Sequence, residues 1–257
     1  EFRRVLFRSG WNRRFSSNYF FSANYTLSRL YGNYAGLASS DEITTPTTGV
    51  SVATSQQQAG SIARSGGNVN RAWDLDELLF DSKGHLDVVG RLATDRPHVL
   101  KLYGAYDFKF GTQIGAFVYA GSGTPITTYV NTVNQIPVMV NGRGDMGRTP
   151  VYTRTDLLVS HALTVANSKK LRFEMNVQNL FNQKTARHIF NSLNKGAGSP
   201  RGSSAIDLSH TDLAKGYDYR ALINATPDGA NAYDVRYGMG DLFEDGTKGY
   251  FTVKFEF

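Results

Sequence analysis

Cysteine is absent from the 257 residues, which removes disulfides, thiol nucleophiles and Cys-ligated metals together. No stretch approaches the roughly 18 consecutive apolar residues of a membrane helix, so any passage through a membrane must be made by strands. An initiating Met is missing as well, because the chain opens on Glu1-Phe2. Glu-Phe is what an EcoRI site encodes, and Leu6 to Ser9 resembles translated sequencing-adapter DNA. Residues 1–9 are therefore expected to be a cloning or adapter artefact, and the remainder to be the end of a longer protein. On that reading the lack of a signal peptide says nothing about export. The net charge is +6, but the basic residues are scattered, with a local excess only in the first fourteen positions. A nucleic-acid surface needs a clustered patch, so no nucleic-acid partner is expected.

What is present is aromatic and alternating. Hydrophobic residues make up 40% of the chain and aromatics 12%, with 26 glycines. Many aromatics without long apolar runs suit strands in which only alternate residues meet lipid. The last ten residues, KGYFTVKFEF, show it best: Phe251, Val253, Phe255 and Phe257 fall on one face, opposite Tyr250, Thr252, Lys254 and Glu256. A soluble sandwich strand alternates too. The terminal aromatic favours a transmembrane barrel strand, which runs to the interface and ends in an aromatic girdle. It resembles the C-terminal signature that the barrel-assembly machinery reads in bacterial outer-membrane proteins.

The same period recurs upstream. Strands are expected over Phe15 to Tyr31, Val99 to Phe110, Gln113 to Ala120, Val151 to Leu163 and Leu171 to Gln178. Phe21, Tyr25, Leu102, Phe173, Met175 and Val177 fall on apolar faces. Asn24, Lys101, Arg154, Asp156, Arg172, Glu174 and Asn176 fall on polar ones, which suit a wet lumen. The connections alternate between very short (Phe110 to Gln113, Ala166 to Lys169) and very long (Asn33 to about Arg96, Gly121 to Pro150, Gln183 to about Thr247). Barrels sort their loops this way, with short periplasmic turns on one rim and long extracellular loops on the other. The expected fold is therefore all-β: an antiparallel transmembrane β-barrel segment of about six C-terminal strands with long extracellular loops. In the last loop, Ser209 with Asp212 reads as a helix start.

Asn176 to Asn182 (NVQNLFN), with Asn179, Leu180 and Phe181 at its centre, resembles a recurring motif of TonB-dependent outer-membrane receptors. Tyr25 to Leu37 (YTLSRLYGNYAGL), Thr94 to Gly104 (TDRPHVLKLYG) and Tyr119 to Pro125 (YAGSGTP) resemble the Oar-like branch of that family. So do Gly142 to Pro150 (GRGDMGRTP) and Asp156 to His161 (DLLVSH). The resemblance implies that residues 10–257 are the C-terminal portion of a barrel of about twenty-two strands filled by an N-terminal plug. It further implies a bacterial outer-membrane location and movement of a large solute. Assembly would use the barrel-assembly machinery through the C-terminal strand, and the TonB complex would be met only through the missing plug.

Chemical motifs have plainer readings. Gly121-Ser122-Gly123 lacks the Gly-Lys-Ser/Thr of a phosphate loop and is expected to be a turn. Arg143-Gly144-Asp145 sits in a glycine-rich loop and is expected to turn; with Trp73 and Phe80 it also supplies candidate ligand contacts. Asp74, Asp76, Glu77, Asp81 and Asp87 are hard oxygen donors suited to calcium. Their spacing matches no known calcium loop, and a solvated acidic segment is expected. The five histidines are dispersed, so neither zinc nor any other metal or cofactor is expected. Arg154 with Asp156 and Arg172 with Glu174 are expected to pair across strands of a watery lumen. No acid–base partner accompanies them, so no catalytic residue is assigned. The rival reading is a secreted all-β module that grips a glycan or other ligand with its aromatics and loops.

Overall fold

A computed structural model describes residues 2–32, 80–86, 88–133, 138–166, 169–196 and 204–256. Twelve strands follow in order: β1 (Phe2–Ser16), β2 (Tyr19–Gly32), β3 (Gly90–Arg91), β4 (His98–Asp107), β5 (Thr112–Gly121) and β6 (Tyr129–Val130). They continue as β7 (Val138–Met139), β8 (Tyr152–Ala166), β9 (Lys169–Gln178), β10 (Ala186–Ile189), β11 (Gly240–Phe243) and β12 (Lys248–Glu256). The long ones form one sheet in the order β1-β2-β4-β5-β8-β9-β12, every neighbour antiparallel. Each long strand thus pairs with its neighbours in sequence. The sheet is open, with β1 and β12 as its edges, so the expected antiparallel architecture is present without closure.

The turns explain the register. Ser17 and Asn18 both have positive φ (54° and 70°), the requirement of a two-residue hairpin whose twist matches its strands. That hairpin corrects the expected Phe15 to Tyr31 strand. Phe15 and Ser16 end β1, and β2 starts at Tyr19. It also draws Phe2 to Ser9 into the sheet, paired from Phe2↔Gly32 to Ser9↔Tyr25. The segment set aside from the sequence therefore supplies part of a seventh long strand, because any extended chain can satisfy the edge of β2. At the next turn Gly111 has φ +88°, and a Cβ there would lie 2.7 Å from the Ala162 carbonyl oxygen. Phe108 to Phe110 belong to this turn rather than to β4. Hydrogen bonds Asp107 N–H to Asn18 O (2.7 Å) and Ala162 N–H to Gly111 O (2.9 Å) hold the short turns together on one rim. The long loops leave from the other.

Cross-strand register gives the sheet two unlike faces. Phe21, Gly104, Ala116, Leu157 and Val177 form one continuous row; Tyr106, Ile114, Val159, Met175 and Phe251 form another. Both belong to the apolar face. It stands uncovered: Met175 is 45% exposed, Val253 52% and Phe251 69%. Among the described residues, no apolar side chain in these seven strands is fully buried. A sandwich would bury this face under a second sheet.

The buried core lies in the loops instead. Val130, Val138, Val140, Ile206, Ile223 and Ala232 pack together, with Leu193, Leu208, Tyr217 and Tyr233 against them. The β6/β7 hairpin and the last long loop meet here, and Tyr217 donates from its hydroxyl to the Phe80 carbonyl, tying in the first. The described parts of three connections that read as loops thus form one structured cap over the long-loop rim. The helix in the last loop runs Tyr219–Asn224, not from Ser209. Its N-cap is Asp218, whose carboxylate accepts from Arg220 N–H and Ala221 N–H, whereas Asp212 makes no such bond at the 3₁₀ turn Leu213–Lys215. No helix among the described residues is long and apolar enough to cross a membrane.

Candidate functional site

The quoted motifs meet at the base of the cap. Asp95, 1% exposed, pairs with the Arg148 guanidinium and accepts from Leu30 N–H at 2.7 Å. Arg148 Nη1 also donates to the carbonyls of Asp95 (2.8 Å) and Gly123 (2.9 Å). Arg96 donates to Ser122 O, and Ser28 Oγ donates to Arg96 O. One knot therefore joins β2, Thr94 to Gly104, Tyr119 to Pro125 and Gly142 to Pro150. Gly123 is required in it, since a Cβ would lie 1.6 Å from Thr149 O. Gly121-Ser122-Gly123, expected as a turn, opens a stretch to Val130 that is among the most buried of the described residues. Its backbone is satisfied by side chains, with Thr124 N–H on Thr149 Oγ1 and Thr128 N–H on Asp145 Oδ1.

That second bond ties the Arg-Gly-Asp turn to the cap, with Asp145 itself exposed. Asp145 Oδ2 accepts from Asn141, Gly144 (φ +73°) donates to Thr127 Oγ1, and Arg143 Nε donates to the Val88 carbonyl. Burial pushes the Arg143 guanidinium down to about 10. Phe80 forms a bridge with Leu86 nearby. Trp73, and Asp74, Asp76, Glu77 and Asp87 of the acidic stretch, lie outside the described residues. Asp81 is buried; that burial would raise its carboxyl, but His85 N–H, the His85 ring and Lys83 N–H together hold it below the usual range.

Asn179 organises the second knot. It is 2% exposed with φ +50°, and Asn182 shares that φ, so both asparagines occupy the left-handed region that this side chain tolerates. The Asn179 amide donates to Gln183 O and Asp245 O, its Oδ1 accepts from Gln183 N–H, and its backbone N–H reaches Asp156 Oδ1. Thr247 Oγ1 donates to Asn179 O, closing the two ends of the last long loop. Leu180 and Phe181 point into open space, Phe181 being 67% exposed. Asn179→Gly keeps the φ at no steric cost but strands buried partners, so a urea-unfolding loss of about 1–3 kcal/mol is expected. A loss below about 0.5 kcal/mol would show that the motif acts through its backbone alone.

Between the two knots lies the polar face. Arg154 Nε pairs with Asp156 Oδ1 at 2.8 Å on its own strand. Arg154 and Arg187 approach Glu244 at 3.6 and 3.3 Å, an assembly that strand alternation could not foresee because Glu244 and Arg187 come from the last loop. Glu174 pairs with Lys254 of the neighbouring β12 at 2.6 Å. Asn24 donates to Ser22 Oγ, and Lys101 is exposed. Phe251, Val253 and Phe255 lie on the apolar face; Phe257 lies outside the described residues.

The polar face holds a hollow of about 400 Å³. Its cause is a gap in one cross-strand row, where Ala105 and Gly115 stand between Phe20 and Leu158. Tyr103, Phe117 and Asp156 in the next row wall it, with Gln113, Asn176 and Gln178 around the rim. Among the described residues no cluster of His, Asp and Glu is arranged to hold a metal ion.

No family model matches the chain, and no solved structure matches it. It is 33% identical over 177 residues to the TonB-dependent transporter Oar of Myxococcus xanthus. The match covers 66% of this chain and 14% of that relative, so the chain spans a small part of the relative's length. Motifs that converge on two knots, an antiparallel sheet with one apolar face, and this relative together identify the chain as an Oar-like relative of the TonB-dependent receptors.

Proposed function

We propose that the chain is part of an outer-membrane TonB-dependent transporter that moves a large solute across the bacterial outer membrane. The observation that carries this is the uncovered apolar face of a sheet whose other face is polar. Lipid is the solvent that stabilises such a face. The polar face lines the solute's path, the cap supplies contacts outside it, and no bond is made or broken. TonB is met through a plug that belongs to the rest of the protein. The C-terminal strand carries the barrel-assembly signal, with Phe251, Val253, Phe255 and Phe257 as its apolar side. Open edges at β1 and β12 each present unpaired backbone groups, which cost several kcal/mol apiece in hydrocarbon.

Alone, the chain is therefore expected to aggregate or to need detergent. Size-exclusion chromatography with light scattering, with and without detergent, checks this. A monodisperse detergent-free monomer with protected amides on β2 would sink the membrane reading and favour the secreted binding module.

A further inference from the structure

The apolar face of β2 ends in charge. Tyr19, Phe21, Ala23, Tyr25 and Leu27 run along it toward the long-loop rim, and Arg29 and Tyr31 follow. Tyr31 stands directly opposite Arg91 of β3, and residues so paired share one face of a sheet. Both arginines are exposed. The Arg29 guanidinium lies 5.2 Å from the centre of the Tyr31 ring, and among the described residues neither arginine meets a carboxylate. Asp95, the acid of the adjoining segment, is buried against Arg148. Two cations therefore top the apolar face with no counter-charge among the described residues.

Their height decides what they meet. Positions 19 and 29 are ten residues apart on β2, which at about 3.3 Å per residue and a tilt of about 40° spans about 25 Å. The apolar band of a transmembrane barrel is also about 25 Å tall. Tyr19, with the Arg13 guanidinium 4.2 Å from its ring centre, marks one border of that band. Arg29 then falls at the other border, level with lipid headgroups. We infer that Arg29 and Arg91 form a docking site for the phosphate of a membrane lipid in the leaflet on the long-loop side. A guanidinium fork takes two phosphate oxygens at once, and the acyl chains lie along the apolar face below. A headgroup without phosphate would leave both charges unanswered at the interface. The inference rests on the apolar face being the one that meets lipid.

The test is native mass spectrometry of the chain in a non-ionic detergent, titrated with dioleoyl phosphatidic acid or dioleoylglycerol. These two lipids differ only by the phosphate. Phosphatidic acid is expected to bind saturably, and dioleoylglycerol at least roughly tenfold more weakly. Arg29→Gln combined with Arg91→Gln is expected to weaken phosphatidic acid binding by roughly tenfold or more. Lys109→Gln removes an exposed cation from the short-turn rim and should leave that binding unchanged. Inorganic phosphate in about a hundredfold excess should not displace the lipid, because it has no chains to bury. If the double variant fails to fold, Arg29→Gln alone carries the test. Equal binding of dioleoylglycerol, binding untouched by the arginine variants, or displacement by inorganic phosphate overturns the inference, the last by showing a free-anion site. The membrane reading fails separately, through detergent independence, whatever the two lipids do.

Discussion

Asp95→Ala is expected to destabilise the cap by about 3–5 kcal/mol, the cost of removing one partner of a buried ion pair. Asp95 is almost wholly buried, and its carboxylate holds both the Arg148 guanidinium and the Leu30 N–H. Deleting it leaves a cation facing buried backbone with only the Asp95 and Gly123 carbonyls to answer it. Four sequence motifs lose their common anchor at once. Hydrogen exchange should therefore show cap amides such as Ile206 N–H and Thr149 N–H opening together, while those of β9 and β12 hold. Replacing Arg148 by Met in the same chain should recover much of the loss, because the uncompensated charge goes with it. A cost under about 1 kcal/mol would mean that the pair is solvated and the knot is held by other contacts.

Met175→Arg should cost about 2–4 kcal/mol on folding into lipid if the position lies near the bilayer midplane. Met175 is half exposed on the apolar face, in a row with Val159, Ile114 and Phe251. Its neighbour Asn176 belongs to the opposite face, in the row of Leu158 and Tyr250. Arg at Asn176 should therefore cost far less, since it enters water. Urea titration of both variants in vesicles compares them directly. Equal costs would mean that the two faces do not meet different solvents.

Strand periodicity was legible because alternation is local. Leu171 to Gln178 and Lys248 to Phe257 reveal their faces without reference to any other part of the chain. Loop-length asymmetry was equally legible, and it fixes which turns share a rim. The hairpin at Ser17-Asn18 was not, because serine and asparagine continue the polar spacing of the strands while their positive φ turns the chain. The cap was missed for a different reason. Val130, Val140, Ile206 and Ile223 sit in short apolar clusters such as Val138-Met139-Val140 and Leu222-Ile223, too short to show a period. Only tertiary contact between distant loops makes them a core. The motifs could be found in sequence, but not the reason for them: Asp95, Gly123 and Arg148 lie in three separate stretches and meet only on folding. Asn179 and Asn182 carried a usable signal, since asparagine is the side chain that most readily takes the left-handed turn.

Because the chain has no cysteine, single cysteines can be introduced one at a time from Leu171 to Gln178 and spin-labelled in lipid-reconstituted protein. The measurement is each label's collision with oxygen, which concentrates in lipid, against a water-soluble nickel complex. The account predicts oxygen maxima at 171, 173, 175 and 177, with nickel maxima at 172, 174, 176 and 178. Uniform access along the strand, or maxima on the opposite residues, would contradict it.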